Sequence, residues 1–106
     1  MAAQYLMIVT TFPSREQAQA AVAELVQQKL VACAQVGGPI TSTYRWQGAV
    51  ETAEEWTCTL KTRADKYDAV AAAIAKRHPY DVPEILAVPV VAGSEKYLAW
   101  IDESLA

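Results

Sequence analysis

The only histidine of the chain lies in a short segment that also holds two prolines and two carboxylates. The segment covers residues 78–84 and reads HPYDVPE. Each proline fixes its own φ and disfavours helical geometry at the residue before it, so the backbone restrains His78 and Val82. Imidazole titrates nearest to neutral pH and is the most common metal ligand in proteins. A restrained histidine beside carboxylates therefore makes this segment a candidate metal or ligand site.

One histidine does not complete a metal site. Tight sites normally recruit three or four protein ligands, so His78 would need Asp81, Glu84 or groups from a neighbouring subunit. The expected ion is copper(II) or another divalent cation, because Cu(II) binds nitrogen donors more strongly than the other common divalent metals. In the alternative interpretation His78 is structural, ends a helix and forms local hydrogen bonds.

Other polar side chains have a structural as well as a functional interpretation. Glu84 could belong to a site, but pairing with Lys61 or bonding to Tyr44 is the simpler expectation. Cys33 lies in an apolar run, where a free cysteine behaves as a small hydrophobe, so we expect it in the core. An acidic trio beside a predicted hairpin turn could attract hard cations, although a solvated loop is expected; its members are Glu51, Glu54 and Glu55.

The aromatic residues could form a ligand pocket, but rings at alternating strand positions more often fill cores and interfaces. The residues concerned are Tyr44, Trp46, Trp56 and Trp100. No nucleophile elbow, phosphate loop or interpretable pair of histidine and nucleophile occurs in the sequence, and a lone histidine cannot complete a triad. We therefore expect a protein that is not an enzyme.

Composition limits the range of partners. The 106 residues fit a single domain over 1–106, and the formal net charge of -3 opposes binding to a phosphate backbone. Residues 1–7 lack a basic leader and a long apolar stretch, and no run is long enough to span a membrane. These features predict a cytoplasmic protein without nucleic-acid or membrane partners and without an organic cofactor.

Periodicity predicts the elements that position these side chains. Apolar runs indicate strands over 5–11, 30–46, 50–63 and 84–91. Helical spacing indicates a first helix over about 15–28, capped by Ser14, and a second helix that runs from a cap at Thr62 or Asp65 to His78. Ser94 opens a third helix, whose inward-facing residues are Tyr97, Leu98, Ile101 and Leu105. This order predicts an α+β, ferredoxin-like βαββαβ sandwich with an extra C-terminal helix and all helices on one sheet face.

The second and third strands predict an unusually long hairpin. Pairing Ile40 with Trp56 buries both and requires a three-residue loop, Gln47 to Ala49, whereas a two-residue turn places Ile40 opposite Glu55. An unbroken third strand is about 46 Å long, against a diameter of about 33 Å for a globule of this size. The tip should therefore overhang the domain, and we expect neighbouring subunits to cover it. Pro89 predicts that the fourth strand lies at an edge or carries a bulge.

Several segments together make the chain resemble the CutA-type divalent-cation tolerance proteins. The matching segments are residues 29–34 (KLVACA), 38–40 (GPI) with Ser42, Tyr44 and Trp46, 61–62 (KT), 78–80 (HPY), 82–84 (VPE) and 97–101 (YLAWI). The resemblance covers nearly the whole chain. It implies a ferredoxin-like fold, a homotrimer built through the long hairpins, and tolerance to copper and other divalent ions with copper binding.

The resemblance transfers only part of the copper site proposed for the family. Some relatives have a cysteine where Thr10 stands and a second histidine where Arg77 stands, so only His78 matches. The family is also structurally similar to PII signalling proteins. The alternative function is therefore a PII-like signalling or scaffold module that holds a small ligand or a partner in clefts between subunits, lined by Tyr44, Trp46, Lys61, His78 and Glu84.

Overall fold

A computed structural model describes residues 3–106, and this part of the chain contains four strands and three α-helices in the predicted order. Their bounds are β1 Tyr5–Phe12, α1 Arg15–Gln27, β2 Cys33–Trp46, β3 Ala49–Arg63, α2 Tyr67–Arg77, β4 Ile85–Pro89 and α3 Glu95–Leu105. A short 3-10 turn, Ala64–Lys66, precedes α2. No helix within the described range is long and apolar enough to cross a bilayer.

The strands form one antiparallel sheet in the order β2-β3-β1-β4. β1 therefore lies inside the sheet and β4 forms one edge. Pro89 ends β4 opposite Leu6, and an edge tolerates a residue that cannot donate a ladder hydrogen bond. The edge position predicted for this strand is confirmed.

The main core lies between one sheet face and the helices α1 and α2. Ile8 and Leu60 pair across β1 and β3 and are fully buried with residues of both helices, among them Leu25 and Ile74. Cys58 belongs to the same cluster. Burial raises the pKa of its thiol from 9.0 to about 11, because the apolar surroundings disfavour the thiolate. Cys58 is therefore an unreactive core residue.

α3 packs on the other face of the sheet. Ile101 and Leu105 form a second buried cluster with Ala32, and the partly buried Tyr5 packs against it. Because successive strand residues point to opposite faces, Tyr5 and Ile8 face opposite sides of β1. The prediction of helices on a single face is thus wrong for α3. Tyr97, which was expected to face inward, is largely exposed.

Two of the three predicted helix caps are present. Ser14 and Ser94 each accept a hydrogen bond from a backbone N–H three residues later, as capping serines do. The cap predicted for α2 is wrong, since Thr62 donates to the carbonyl of Leu30 and Asp65 pairs with Arg63. The 3-10 turn, rather than a capping side chain, leads into α2.

The hairpin between β2 and β3 closes with two residues, not three. Trp46 pairs with Ala49, and both Gln47 and Gly48 have positive φ, 48° and 82°. This conformation matches the twist of the flanking strands. Ile40 lies opposite Glu55, so the predicted partner, Trp56, is wrong.

The register argument failed because it assumed an uninterrupted ladder. The pairing shifts between Gly37 and Ile40, where Gly38 and Pro39 lie opposite the single residue Trp56. One extra residue reverses which side chains share a face. Gly38 adopts a φ of 147°, and a Cβ there would lie 2.8 Å from the Trp56 ring, so glycine is required at this bulge.

The hairpin extends beyond the rest of the sheet, as predicted. β1 pairs with β3 only as far as Trp56, and residues 49–55 pair with β2 alone. The longest dimension of the described chain is 44 Å, against 29 and 22 Å across. The overhang leaves apolar side chains exposed at its tip, including Tyr44, Trp46 and Val50.

Candidate functional site

His78 lies at the junction of three segments and is 9% exposed. It is the C-cap of α2, where its own backbone N–H donates to the carbonyl of Ile74. Its Nδ1 accepts a hydrogen bond from the backbone N–H of Tyr80 at 3.2 Å, and its Nε2 lies against the carbonyl oxygen of Thr11. The ring stacks on Phe12 with centroids 4.6 Å apart.

These partners determine the tautomer of the imidazole. The Thr11 carbonyl can only accept, so Nε2 carries the proton, and the Tyr80 N–H can only donate, so Nδ1 is the acceptor. Both ring nitrogens are therefore engaged within the chain. A metal ion would have to displace one of these hydrogen bonds to reach His78.

The predicted ligands of a metal do not come together in one chain. Within residues 3–106 no group of three His, Cys, Asp or Glu side chains is placed to hold a metal ion. Asp81 and Glu84 are exposed, whereas His78 is buried. Copper chemistry at His78, Asp81 and Glu84 thus requires groups from another copy of the chain or a rearrangement.

A cavity of about 760 Å³ lies between the overhanging hairpin and residues 80–84. It is lined by three of the five residues expected in a cleft, Tyr44, Trp46 and Glu84, and also by Asp81. His78 and Lys61, the other two residues expected in a cleft, do not line it. The structure therefore brings most of the predicted cleft residues together within a single chain.

Glu55 is the most buried acidic residue of this cavity. Its side chain is 7% exposed, and its Oε2 accepts hydrogen bonds from the hydroxyls of Thr11 and Tyr80, each at 3.2 Å. Burial, followed by the nearby Glu55 carboxylate, raises the pKa of Tyr80 above 10.0. The tyrosine therefore keeps its proton and remains a hydrogen-bond donor to Glu55 at neutral pH.

Glu55 and Tyr80 are the residues that sequence reasoning missed. Glu55 was expected in a solvated loop, but it lies within β3 and is buried by Thr11 and Tyr80. No local signal marks this burial, since Glu55 shares its strand face with the polar residues Thr57 and Thr59. The burial itself depends on two residues far away in the sequence.

Lys61 lies away from the cavity, near the start of β2. Its Nζ donates to the side chain of Gln35 at 2.8 Å and lies 6.0 Å from the ring centre of Tyr97. Lys61 therefore bonds Gln35 instead of Glu84, its predicted partner. Burial and the adjacent Cys33 raise the pKa of Tyr97. Cys33, expected in the core, is only partly buried.

Comparison with known proteins gives consistent matches over the chain. The family model described as CutA1 divalent ion tolerance protein matches residues 6–104. The divalent-cation tolerance protein CutA of Thermus thermophilus is 36% identical over 98 residues, which are 92% of this chain and 95% of that protein. A chloroplastic CutA protein of Arabidopsis thaliana is 35% identical over 99 residues, 93% of this chain.

The fold agrees with solved structures. The structure of a periplasmic divalent cation tolerance protein CutA from Archaeoglobus fulgidus superposes with a TM-score of 0.93 at 35% identity, and the match covers 96% of this chain and 99% of that one. The chain spans only 54% of the Arabidopsis protein. The matched family is not a known enzyme family, and none of these matches supports a PII-like module.

The predicted cytoplasmic location is contradicted by the names of the relatives. The Archaeoglobus protein is described as periplasmic and the Arabidopsis protein as chloroplastic. The prediction failed because composition and charge relate only to whether a chain suits an aqueous medium, and each of these compartments is aqueous. Composition therefore does not distinguish among them.

Proposed function

The chain belongs to the family of CutA1 divalent ion tolerance proteins, as its motifs predicted, and from this premise we propose that it is a non-enzymatic homotrimer that binds divalent cations, copper(II) foremost. The observation that carries the proposal is the family match over residues 6–104. The relatives are named for divalent-cation tolerance, and direct binding of the ion is the simplest mechanism by which a protein could confer it.

Charge and exposure support cation binding near residues 80–84. The chain has a formal net charge of -3, and the exposed residues Asp81 and Glu84 line the cavity. A pair of carboxylates leaves coordination positions open, which a second copy of the chain could complete. His78 would join them only by releasing the N–H of Tyr80.

Two features of the sheet support self-association. Met7, Val9, Leu86 and Val88 form an apolar patch on the sheet face opposite α1 and α2, where Leu86 and Val88 are largely exposed. The overhanging hairpin adds further exposed apolar side chains. Monomeric proteins rarely leave such surfaces uncovered, and a neighbouring copy would bury them.

Titration of Cu(II) into the purified protein by isothermal calorimetry tests the metal proposal. The test variants are Asp81→Asn with Glu84→Gln, and separately His78→Gln, which keeps a donor and an acceptor at the ring position. The control is Glu16→Gln with Asp68→Asn, which removes two exposed carboxylates at helix N-termini. We expect at least about a tenfold loss of affinity in the double cavity variant and no change in the control.

The outcomes separate the parts of the proposal. A wild-type isotherm without binding heat would refute metal binding, whatever the oligomeric state. Equal affinities in the wild type and the double cavity variant would exclude Asp81 and Glu84 as ligands. A loss confined to His78→Gln would identify the imidazole as the main ligand, and the Tyr80 hydrogen bond would then have to open.

A further inference from the structure

The sheet face opposite α1 and α2 presents two different surfaces at its two ends. α3 covers one end, where Tyr5 packs against its buried cluster. At the other end Thr11 lines the cavity between the hairpin and residues 80–84, which we call the hairpin cavity. Tyr5 and Thr11 share one face of β1 and lie six residues apart, so the two ends are about 20 Å apart. The apolar patch around Leu86 and Val88 lies between them.

The hairpin cavity is acidic and aromatic. Its walls hold four carboxylates and one guanidinium beside the partly exposed rings of Tyr44 and Trp46. The charged residues are Glu51, Glu55, Asp81, Glu84 and Arg45. Glu55 already accepts hydrogen bonds from two hydroxyls. Glu51 lies opposite Tyr44 in the hairpin, is exposed, and takes part in none of the ion pairs within residues 3–106. Its carboxylate is therefore available to a cation.

The start of α3 carries an exposed lysine and an exposed pair of aromatic rings. Tyr97 and Trp100 are 40% and 41% exposed, and their ring centres lie 5.4 Å apart. Lys96 precedes this pair and is exposed as well. The carboxylate beside it, Glu95, lies in the first turn of α3, where it interacts favourably with the N-terminus of its own helix. Large rings at a surface are typical anchors of protein interfaces.

The cationic side chains beside α3 differ in whether they already have a partner. Arg63 pairs with two aspartates. Lys61 donates to Gln35 at 2.8 Å, and Lys29 donates to a backbone carbonyl at the end of α3 at 2.9 Å. Within the described part of the chain, Lys96 takes part in none of the ion pairs. Lys96 is therefore the cation at this end that can bind a carboxylate of another molecule.

A closed ring of three identical chains needs two complementary surfaces on each chain. Contacts of this kind are head-to-tail, so one surface of each copy meets the other surface of the next copy. Two hairpin cavities would repel each other through their carboxylates. The acidic cavity and the start of α3 are complementary in charge, both carry exposed rings, and they lie at opposite ends of one face. They therefore meet the requirement for a ring.

We propose that, in the homotrimer, the start of α3 of each copy docks in the hairpin cavity of the next copy. Lys96 pairs with Glu51 of that copy, and Tyr97 and Trp100 cover its exposed hairpin rings. This docking rests on the proposed homotrimer and names the surfaces that form it. The same contact covers the overhanging hairpin, and the cavity is complete only when a neighbouring chain supplies the lysine.

Cross-linking with a short bismaleimide tests which surfaces meet. The test variant combines Lys96→Cys with Glu51→Cys in the full chain, and each single change is examined separately. The matched control combines Lys76→Cys, at an exposed position of α2, with Glu51→Cys. The wild type, which keeps Cys33 and Cys58, measures the background. Denaturing electrophoresis then counts the linked chains.

We expect covalent dimers and trimers in the variant with Lys96→Cys and Glu51→Cys, because a head-to-tail contact joins these two different positions. Each single variant and the control with Lys76→Cys should match the wild-type background. Absence of linked chains in the test variant overturns the docking. Equal linking in either single variant overturns it as well, because like positions would then meet.

Charge reversal tests the pairing of Lys96 with Glu51. Lys96→Glu and Glu51→Lys should each weaken assembly at least about tenfold, because like charges would then face each other. The two changes together should restore assembly to within about threefold of the wild type. Glu54→Lys is the control, since Glu54 is exposed on the same hairpin but does not line the cavity. Sedimentation velocity over a range of protein concentrations measures assembly.

The results distinguish this docking from the homotrimer itself. A wild type that is monomeric at micromolar concentration refutes the homotrimer, and the docking with it. A trimeric wild type that neither Lys96→Glu nor Glu51→Lys weakens overturns the docking alone. Failure of the combined variant to restore assembly overturns the pairing of Lys96 with Glu51 and leaves the homotrimer in place.

Discussion

The imidazole of His78 connects the end of β1, the end of α2 and the segment that follows. It contacts the Thr11 carbonyl through Nε2, the Tyr80 N–H through Nδ1 and the Phe12 ring through its face. The two prolines nearby restrain the same segment. At this scale the histidine is part of the internal hydrogen bonding, and it holds Tyr80 where the tyrosine hydroxyl can reach Glu55.

Replacing His78 by alanine should destabilise the protein markedly. The change removes a buried ring and leaves the Thr11 carbonyl without a donor, so we expect a loss of about 2 to 4 kcal/mol in the free energy of unfolding. Urea denaturation measures it. Lys76→Ala, at an exposed position in the last turn of α2, serves as the control. A loss below about 0.5 kcal/mol, the usual range of surface substitutions, would show that the ring is not structural.

α3 is attached to the sheet by polar contacts as well as by Ile101 and Leu105. The hydroxyl of Tyr5 donates to Asp102 at 2.7 Å, Arg63 lies 3.6 Å from the same carboxylate, and Lys29 donates to the carbonyl of Ala106 at 2.9 Å. The hydrogen bond to Asp102 raises the pKa of Tyr5 above 10.0. The attachment of this helix therefore depends on Tyr5 staying protonated.

The stability of the protein should fall at alkaline pH through Tyr5. Because the pKa of Tyr5 is higher in the folded than in the unfolded chain, the contribution of Tyr5 to stability is complete below about pH 10. This contribution is lost as the pH rises towards the folded-state pKa, because the tyrosine of the unfolded chain ionises first. Tyr5→Phe should be less stable than the wild type at about pH 9, but it should lose less stability than the wild type between about pH 9 and about pH 11. Urea midpoints of both proteins at both pH values measure the difference.

The comparison with Tyr5→Phe also controls for the loss of stability that other groups cause when they ionise at alkaline pH. Ionisation of Cys58, whose thiol pKa is raised to about 11, destabilises both proteins equally. Identical losses in the wild type and in Tyr5→Phe would therefore show that the Tyr5 hydroxyl does not stabilise the attachment of α3.

The whole molecule is elongated because one hairpin is longer than the sheet that supports it. Residues 49–55 lie beyond the last pair of β1 and β3, and the longest dimension reaches 44 Å. The sheet face opposite α1 and α2 also carries the apolar patch around Leu86 and Val88. Both surfaces remain accessible to a neighbouring copy, which is the physical basis for the proposed trimer.

A charge in the apolar patch should disrupt the proposed trimer. Leu86 is 59% exposed in the single chain, so Leu86→Glu should leave the monomer folded while placing a carboxylate in the interface at a cost of several kcal/mol. Sedimentation velocity should give three times the chain mass for the wild type and one chain mass for the variant. Ala72→Glu, on the exposed side of α2, should remain trimeric.

Two results would contradict the trimer or its interface. A wild-type monomer at micromolar concentration would refute the homotrimer. A Leu86→Glu variant that keeps the wild-type mass would place the interface elsewhere on the molecule. Far-UV circular dichroism of the variant confirms that the chain remains folded in either case.

Features that depend on a few neighbouring residues could be predicted from the sequence. Ser14 and Ser94 cap their helices because a hydroxyl needs only the backbone N–H three residues away. Pro89 lies at the sheet edge because it lacks a donor, and the pattern of apolar runs determined the order of strands and helices. The motifs of several segments taken together also sufficed to indicate the family, although not the ligand.

The tertiary structure decided everything that depends on distant contacts. The bulge at Gly38 and Pro39 changed the register of the hairpin, because a strand has a period of two and one extra residue exchanges its faces. Glu55 is buried by Thr11 and Tyr80, which lie 44 and 25 residues away along the chain. The cavity arises where these segments meet, so its acidic and aromatic walls follow from the packing of the chain and not from any local pattern in the sequence.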